Sequence, residues 1–458
     1  FFDNLWDGAM PVSLMGTWLG SAGSFDAISQ KKYKEDTGKV IPIDIAEDTL
    51  EVREYLNWRV HKVTSVVASF AQHARELKPD VVIGANDFDM IMRNSPVIYG
   101  LNLEQQAEIQ DVTMIENFAI PKWEPEKDVL VNNAQTIRVA RALVGNAAHL
   151  SVLSYDDGIG WDGMYHPRRF RQTIAEAAAC GVTNTIKGTE YYHAGQHTML
   201  TANGFEVQCG AIRHYQQWLE ANTSLFSGER QNLADVVLFY PEEELMFNWQ
   251  EMAPIFFAVG QTLLKLCIPW RVARKKEDIG NAATVFVFTE EHQNWVEDAT
   301  LVTDITGWST LGKSGVLNQN KFLRRLTEGV IEPLWHSYFS SKLMRSLIDC
   351  LRLFKLFTGT KLFDLPPYEL QKSLRDQTKT KLPKVVCDGT VLVEFWKKDD
   401  ETQVHLMNYT NEIQRVTVEF GKEVHMEILS PDDELVHDLR VENLSFDLDV
   451  YKILKMKE

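Results

Sequence analysis

The first half of the chain alternates short apolar runs with longer stretches of helical periodicity. The runs that predict strands are FFDN (1–4), DVVIGAND (80–87), DVTMIENF (111–118), HLSVLSYDD (149–157) and VTNTIKGTEYY (182–192). Between the first two runs, spacings of three and four predict a helix that ends near Pro79, its apolar face carrying Leu56, Val60, Val63, Val67, Phe70 and Ala74. This alternation is typical of β/α units around a parallel sheet.

Each of the five predicted strands ends in a polar cluster. The clusters are Asp3-Asn4, Asn86-Asp87, Glu116-Asn117, Asp156-Asp157 and Glu190-Tyr191. A parallel β/α barrel collects the carboxyl ends of all its strands on one face, whereas a doubly wound sheet places polar groups mainly near its crossover point. The pattern therefore predicts a (β/α)8 barrel of the TIM type. Counting back from the last strand makes FFDN the fourth, so we expect three β/α units to be missing ahead of Phe1.

The remaining chain predicts three further segments. We assign residues 1–228 to the C-terminal part of the barrel and 229–338 to a small three-layer α/β domain of flavodoxin type. Residues 339–383 predict a helical connector. In residues 384–458, alternating runs such as TVLVEFWK and TQVHLMNYT are separated by charged turns, which predicts an antiparallel β-sandwich.

Composition narrows the class of protein. The formal net charge of −17 argues against a nucleic-acid partner, because phosphate contacts need clustered Lys and Arg. No apolar stretch reaches the roughly 18 residues of a membrane span, so we predict a soluble protein, cytoplasmic or secreted. The cysteines show no CxxC spacing and are predicted to be buried free thiols: Cys180, Cys209, Cys267, Cys350 and Cys387.

Two of the strand-end acids suit the hydrolysis of a glycosidic bond. That reaction uses one carboxyl group as nucleophile or base and a second as proton donor. Asp3 and Glu116 end strands that are two apart in the predicted order, so we expect them to face each other across the barrel mouth. The apolar residues before each acid predict partial desolvation, which favours a protonated carboxyl. The alternative is that these acids cap helices or pair with arginines.

Other polar and aromatic residues at the strand ends predict a sugar-binding surface. Polar groups fix sugar hydroxyls, and aromatic rings stack on the apolar faces of sugars. The predicted binding residues are Trp6, Asn86, Asp87, Asn117, Asp156, Asp157, Trp161, Glu190, Tyr191 and His193. The alternatives are a solvated loop for the aspartates and core positions for the tryptophans.

Metal and cofactor chemistry have little support in the sequence. His193 and His197 are four residues apart, which is the spacing of a helical metal pair, but no third ligand stands nearby. Surface histidines or sugar hydrogen bonds are the favoured interpretation. The chain contains no GxGxxG, GxxxxGK[ST] or GxSxG motif, so we predict no cofactor.

Several motifs resemble those of β-galactosidase-like glycoside hydrolases. FFDN, YKEDTG, ARELKPDVVIGAN and MIENF are similar to the second half of the catalytic barrel in that group. VVLFYPEEE and CIPW resemble the trimerisation domain that follows the barrel, and VHLMNYT resembles a strand of the small C-terminal β domain. The resemblance covers nearly the whole chain. It implies a glycosidase with a carbohydrate substrate that forms a homo-oligomer, a trimer or a dimer.

The resemblance also implies roles for individual residues. β-Galactosidases of this group carry Asn-Glu at the end of the fourth strand and Glu at the seventh, where this chain has Asp3-Asn4 and Asp156-Asp157. Galactosidase activity is therefore not implied. An Asp on the fourth strand and a Glu on the sixth are similar to the dextranase-like arrangement, which implies that Asp3 is the nucleophile and Glu116 the acid/base, while Asn4 and Asp87 steer hydroxyls.

The expected function is that of a retaining glycoside hydrolase acting on an oligo- or polysaccharide. In such enzymes the two carboxyl groups stand about 5 to 5.5 Å apart. Two alternatives stay open. One is a catalytically silent carbohydrate-binding or scaffold barrel, and the other is a metal-dependent sugar-modifying enzyme on the same fold.

Overall fold

A computed structural model describes residues 27–42, 49–88, 94–117, 120–145, 149–154, 166–186, 191–193, 196–198, 204, 206–296, 299–302, 364–434 and 436–457. Within these ranges the helices are α1 Ala27–Thr37, α2 Leu50–Leu77, α3 Ser95–Tyr99, α4 Leu103–Ala107, α5 Ala134–Val144, α6 Pro167–Ala179, α7 Glu206–Ala221, α8 Thr223–Phe226, α9 Glu242–Phe247, α10 Trp249–Lys265, α11 Lys276–Ile279, α12 Glu290–Gln293 and α13 Tyr368–Gln377. None of these helices combines the length and hydropathy that a membrane span requires.

The strands of the same ranges are β1 Gly84–Phe88, β2 Val112–Asn117, β3 Lys122–Glu124, β4 Val129–Val131, β5 His149–Ser154, β6 Thr183–Ile186, β7 Tyr191–His193, β8 Gln196–Thr198, β9 Gln231–Asn232, β10 Val236–Phe239, β11 Trp270–Ala273, β12 Thr284–Phe286, β13 Thr300–Val302, β14 Lys384–Cys387, β15 Val391–Lys398, β16 Glu401–Asn408, β17 Gln414–Leu429, β18 Val436–Leu448 and β19 Tyr451–Lys457. The protein is therefore of mixed α/β type.

Helix α2 forms where the periodicity predicts it. Thr49 caps its first turn, because the side-chain oxygen accepts a hydrogen bond from the Val52 backbone N–H. The predicted apolar face is buried at Leu56, Val60, Val63 and Val67. Phe70, which the prediction places on the same face, is instead 58% exposed, and Ala71 takes the buried position one turn after Val67.

Strands β1, β2, β5 and β6 form a parallel sheet in that order. Helix α5 connects β2 to β5, and helix α6 connects β5 to β6, as β/α units require. Four of the five strands predicted in this half of the chain are thus confirmed, although β1 begins only at Gly84, and Val82 of the predicted run DVVIGAND precedes the strand and is exposed. The fifth, FFDN, lies outside the described residues.

The last of these predicted strands is shorter than expected. Strand β6 ends at Ile186, and Tyr191–His193 instead form β7, which pairs antiparallel with β8. Residues Tyr192 and His197 are direct neighbours in this hairpin, so His193 and His197 lie on paired strands and not one turn apart on a helix, as a helical metal pair would. The physical reason is β-propensity, because aromatic and β-branched residues occupy these positions and favour extended backbone.

A second parallel sheet has the strand order β11-β10-β12-β13. Strand β10 is buried at all four of its positions, as expected for a central parallel strand covered on both faces. The long apolar helix α10 packs beside it, and Phe256, Val259 and Leu263 share one core cluster with Val236 and Leu238.

The third sheet is antiparallel and contains β14, β15, β16, β17, β18, β19 and the short β9. A sandwich would have two separately hydrogen-bonded sheets, whereas the described strands form one connected network. The reason is β17, which is 16 residues long and pairs with β14 through its first half and with β19 through its second half. A register shift between Glu419 and Val424 bends this strand, and side chains from both halves share one core.

Helix α6 fixes the antiparallel sheet to the first sheet. Arg168 forms an ion pair with Asp449, and Arg171 contacts both Asp432 and Asp449, at 3.0 and 2.9 Å. On the same helix the buried carboxylate of Glu176 accepts hydrogen bonds from the Asn133 backbone and side chain and from the Tyr409 hydroxyl. These contacts hold the first sheet in a defined position against the C-terminal strands.

Candidate active site

The candidate site centres on Glu116, near the carboxyl end of β2. Its side chain is buried, with the residue only 4% exposed. The side-chain amide of Asn86, on the neighbouring strand β1, donates a hydrogen bond from Nδ2 to Glu116 Oε2 at 2.9 Å. Two of the predicted site residues are thus brought together at the end of the parallel sheet where strand-end polar groups converge.

Strand alternation explains why Asn86 and Glu116 meet. The register places Asn86 opposite Met114 and Asp87 opposite Ile115. Since successive side chains point to opposite faces, Asn86 and Glu116 share one face while Asp87 and Ile115 share the other. Ile115 packs in a cluster with residues of α4 and α5, so the Asn86 and Glu116 face is the one turned away from these helices.

Asp87 therefore lies apart from the proposed site. Its side chain is buried, and Gln110 Nε2 donates to Asp87 Oδ1 at 3.4 Å. The second carboxyl oxygen has no hydrogen-bond partner among the described residues. Burial raises the pKa of Asp87 to about 7, and the Gln110 hydrogen bond opposes this shift only in part.

The structure does not test the positions of the other predicted site residues. Asp3, Asn4, Trp6, Asp156, Asp157, Trp161 and Glu190 lie outside the described residues. Asn117 closes β2, and Tyr191 and His193 belong to β7, but their side chains are not among those that the structure describes. Within the described part of the chain, no three His, Cys, Asp or Glu side chains cluster closely enough to hold a metal ion.

No protein-family model matches the chain, and no curated protein matches it. Solved structures do. The chain is similar to a β-galactosidase from Bacillus circulans sp. alkalophilus at a TM-score of 0.54 and 12% identity, over 92% of this chain and 71% of that one. A catalytic mutant of Gan42B, a GH42 β-galactosidase from G. stearothermophilus, gives a TM-score of 0.52 and 13% identity, over 94% and 73%.

A third similar structure is the GH42 exo-carrageenase from Bacteroides ovatus, with a TM-score of 0.51 and 11% identity. The alignment covers 88% of this chain and 56% of the carrageenase, so this chain spans a little over half of that protein. The chain has the fold of β-galactosidase-like glycoside hydrolases. The predicted resemblance is confirmed at the level of the fold.

Within this glycoside hydrolase fold, the contact between Asn86 and Glu116 is a feature that sequence analysis missed. Both residues were predicted as site residues, but as independent ones. The signal was present in the period of two along a strand, which separates Asn86 from Asp87 in the sequence DVVIGAND. The register between β1 and β2, which decides the partner of Asn86, is set by tertiary packing.

Asp87 is buried on the face of the parallel sheet that it shares with Ile115, and this position predicts a pH-dependent stability. Its pKa in the folded state, about 7, is above the ordinary aspartate value of 3.8. As the pH rises between these values, the unfolded state loses its proton and the folded state keeps it, so the free energy of unfolding falls. The Asp87→Asn variant has no carboxyl group to titrate at this position. Its free energy of unfolding should therefore fall less over this pH range than that of the wild type, by up to about 4 kcal/mol.

The measurement is urea denaturation of the wild-type protein and the variant at pH 4, 5, 6, 7 and 8. The exposed Asp80 offers a matched control, and Asp80→Asn should leave the wild-type pH profile in place. Parallel profiles for wild type and Asp87→Asn would contradict the burial of an uncharged carboxyl at this position.

Proposed function

We propose that the protein is a glycoside hydrolase that cleaves an O-glycosidic bond in an oligo- or polysaccharide. The observation that carries the proposal is the buried Glu116, held by Asn86 at the carboxyl ends of adjacent parallel strands in a glycosidase fold. Such strand ends are where β/α folds build their active sites. A carboxyl group fixed there suits proton transfer to a glycosidic oxygen.

The proposed mechanism is retaining. Asp3 attacks the anomeric carbon while Glu116 gives its proton to the leaving oxygen, and Glu116 then takes a proton from the water that releases the sugar. Asn86 orients the Glu116 carboxyl in both steps. Because the amide N–H donates to a carboxylate oxygen, it also stabilises the charge on Glu116 after the leaving group has departed.

The sugar-binding set is proposed without Asp87. It comprises Asn4, Trp6, Asn86, Asn117, Asp156, Asp157, Trp161, Glu190, Tyr191 and His193. Asp87 is left out because its side chain contacts Gln110 on the opposite face of β1. We also propose the predicted division into barrel, α/β domain, connector and C-terminal β domain, together with assembly into a homo-oligomer.

A substrate panel with stereochemical readout tests this function. Because the similar structures include β-galactosidases and a carrageenase, β-galactosides and carrageenan are the first substrates in the panel, followed by aryl glycosides of other sugars and by dextran. Proton NMR of the first product formed should show the anomeric configuration of the substrate. An inverted product would contradict the roles given to Asp3 and Glu116. Binding of a glycan without turnover would favour the silent carbohydrate-binding alternative.

A further inference from the structure

Two cysteines that are far apart in sequence meet at the junction of the α/β layer and the antiparallel sheet. Cys267 follows α10, and Cys387 ends β14. Their Sγ atoms are 3.5 Å apart, and both are free thiols in this structure. Scattered cysteines without CxxC spacing gave no sign of this pair, because 120 residues separate the two positions. A disulfide brings the sulfurs to about 2 Å, so closure needs an approach of roughly 1.5 Å.

The backbone at Cys267 is unusual for a residue with a side chain. Its φ angle is +57°, in the left-handed region that favours glycine. Cys267 N–H donates to Leu264 O at 3.1 Å, and Ile268 N–H donates to Leu263 O at 2.9 Å. These bonds form a Schellman motif with Cys267 at the position where glycine is most common. A cysteine here accepts backbone strain, and strain of this kind points to a use for the side chain.

The surroundings of the pair prepare one sulfur to react. A hydrogen bond from the Cys387 thiol lowers the pKa of Cys267, and the Val391 backbone N–H and the Lys265 ammonium act in the same direction. Lys265 is fixed nearby, since its Nζ donates to Thr390 Oγ1 at 3.0 Å. Cys267 is buried, whereas Cys387 is half-buried and is the sulfur that a small molecule reaches first.

From this geometry we propose that Cys267 and Cys387 are a reversible disulfide site, oxidised by low-molecular-weight disulfides, that links the end of α10 to strand β14. As the Cys387 sulfur attacks one sulfur of oxidised glutathione, its hydrogen-bonded proton passes to the Cys267 thiolate. The S–S bond of glutathione breaks, and the departing glutathione thiolate takes that proton from Cys267. The Cys267 thiolate then attacks the Cys387 sulfur of the mixed disulfide. This second exchange forms the Cys267–Cys387 bond and releases a second glutathione, so two protein thiols and one disulfide become one protein disulfide and two thiols.

The test uses the whole purified chain, equilibrated with mixtures of reduced and oxidised glutathione and then quenched with an alkylating agent. Peptide mass spectrometry should identify a linked Cys267–Cys387 peptide, and intact mass should show the loss of two hydrogens. The oxidised protein should melt several degrees above the reduced protein, because a cross-link over a long loop restricts the unfolded chain. Reduction with dithiothreitol should reverse both changes.

Two variants and the other cysteines serve as controls. Cys387→Ser and Cys267→Ser should each abolish the linked peptide and the redox-dependent shift in melting temperature. Cys387 is half-buried, so its variant tests the proposal even if Cys267→Ser fails to fold. The Cys180 and Cys209 thiols should remain alkylatable after denaturation of the oxidised protein. Four or five free thiols in oxidising buffer, or a disulfide that excludes Cys267, would overturn the proposal.

Discussion

Replacing Glu116 by glutamine is expected to lower kcat/KM by roughly 10²- to 10⁴-fold, the contribution that a positioned general acid/base makes. Glutamine keeps the size of the side chain and can still accept the hydrogen bond from Asn86 Nδ2. It has no proton to give to the leaving oxygen and cannot take one from water. The measurement is steady-state hydrolysis of the best substrate found in the glycan panel.

The dependence on leaving group makes this prediction specific to an acid/base. A dinitrophenyl leaving group departs without protonation, so the first step should survive in a Glu116→Ala variant while release by water becomes slow. Azide, which needs no general base, should then restore turnover and give a glycosyl azide of retained configuration.

The control for general damage is Glu108→Gln, an exposed glutamate beside the same strand, which should leave kcat/KM within about twofold of wild type. Equal losses for all leaving groups, with no effect of azide, would assign Glu116 a structural role and contradict its role as acid/base.

Much of the parallel sheet could be predicted from the sequence because its signals are local. The apolar runs that form β2 and β5 and the apolar face of α2 depend on residues within a few positions of each other. The same holds for the polar ends of the strands, which made Asn86 and Glu116 candidates. The period of two separates Asn86 from Asp87, but it does not show which of the two faces Glu116, so Asp87 was grouped with Asn86 although the two point in opposite directions.

The contacts between the sheets could not be predicted, because they join distant residues whose local sequences are unremarkable. Arg138 meets Glu394 across 256 positions, and Cys267 meets Cys387 across 120. The bent β17 is a similar case, since its alternation indicates a strand but does not indicate which neighbours it pairs with. Each of these features is decided by how whole elements pack, and the period of one element carries no information about its partner.

The second large effect is expected at the buried ion pair between α5 and β15. The side chains of Arg138 and Glu394 are 5% and 1% exposed. Arg138 Nε and Nη2 both donate to Glu394 Oε1, at 2.9 and 2.6 Å, and Asn232 Nδ2 donates to Glu394 Oε2 at 3.2 Å. Burial raises the pKa of Glu394, while the charge of Arg138 acts in the opposite direction. The guanidinium also lies 4.4 Å from the centre of the Trp270 ring.

Glu394→Leu should lower the free energy of unfolding by about 3 to 5 kcal/mol, because it leaves the Arg138 charge buried without its counter-ion. The double variant Arg138→Met/Glu394→Leu removes both charges and replaces them with apolar side chains. It should recover most of the loss, since buried ion pairs are often no more stabilising than apolar residues of similar volume. Urea denaturation followed by tryptophan fluorescence gives the three free energies that the comparison needs.

An exposed ion pair supplies the matched control for this comparison. Arg415 and Asp447 are 3.0 Å apart on neighbouring strands, with side chains 61% and 67% exposed. Asp447→Ala should change the free energy of unfolding by less than about 1 kcal/mol, because water screens the charge that remains. If the double variant is as unstable as Glu394→Leu, the loss comes from packing at the sheet junction and not from an unpaired charge. If Glu394→Leu costs no more than Asp447→Ala, the junction is not buried as the structure describes.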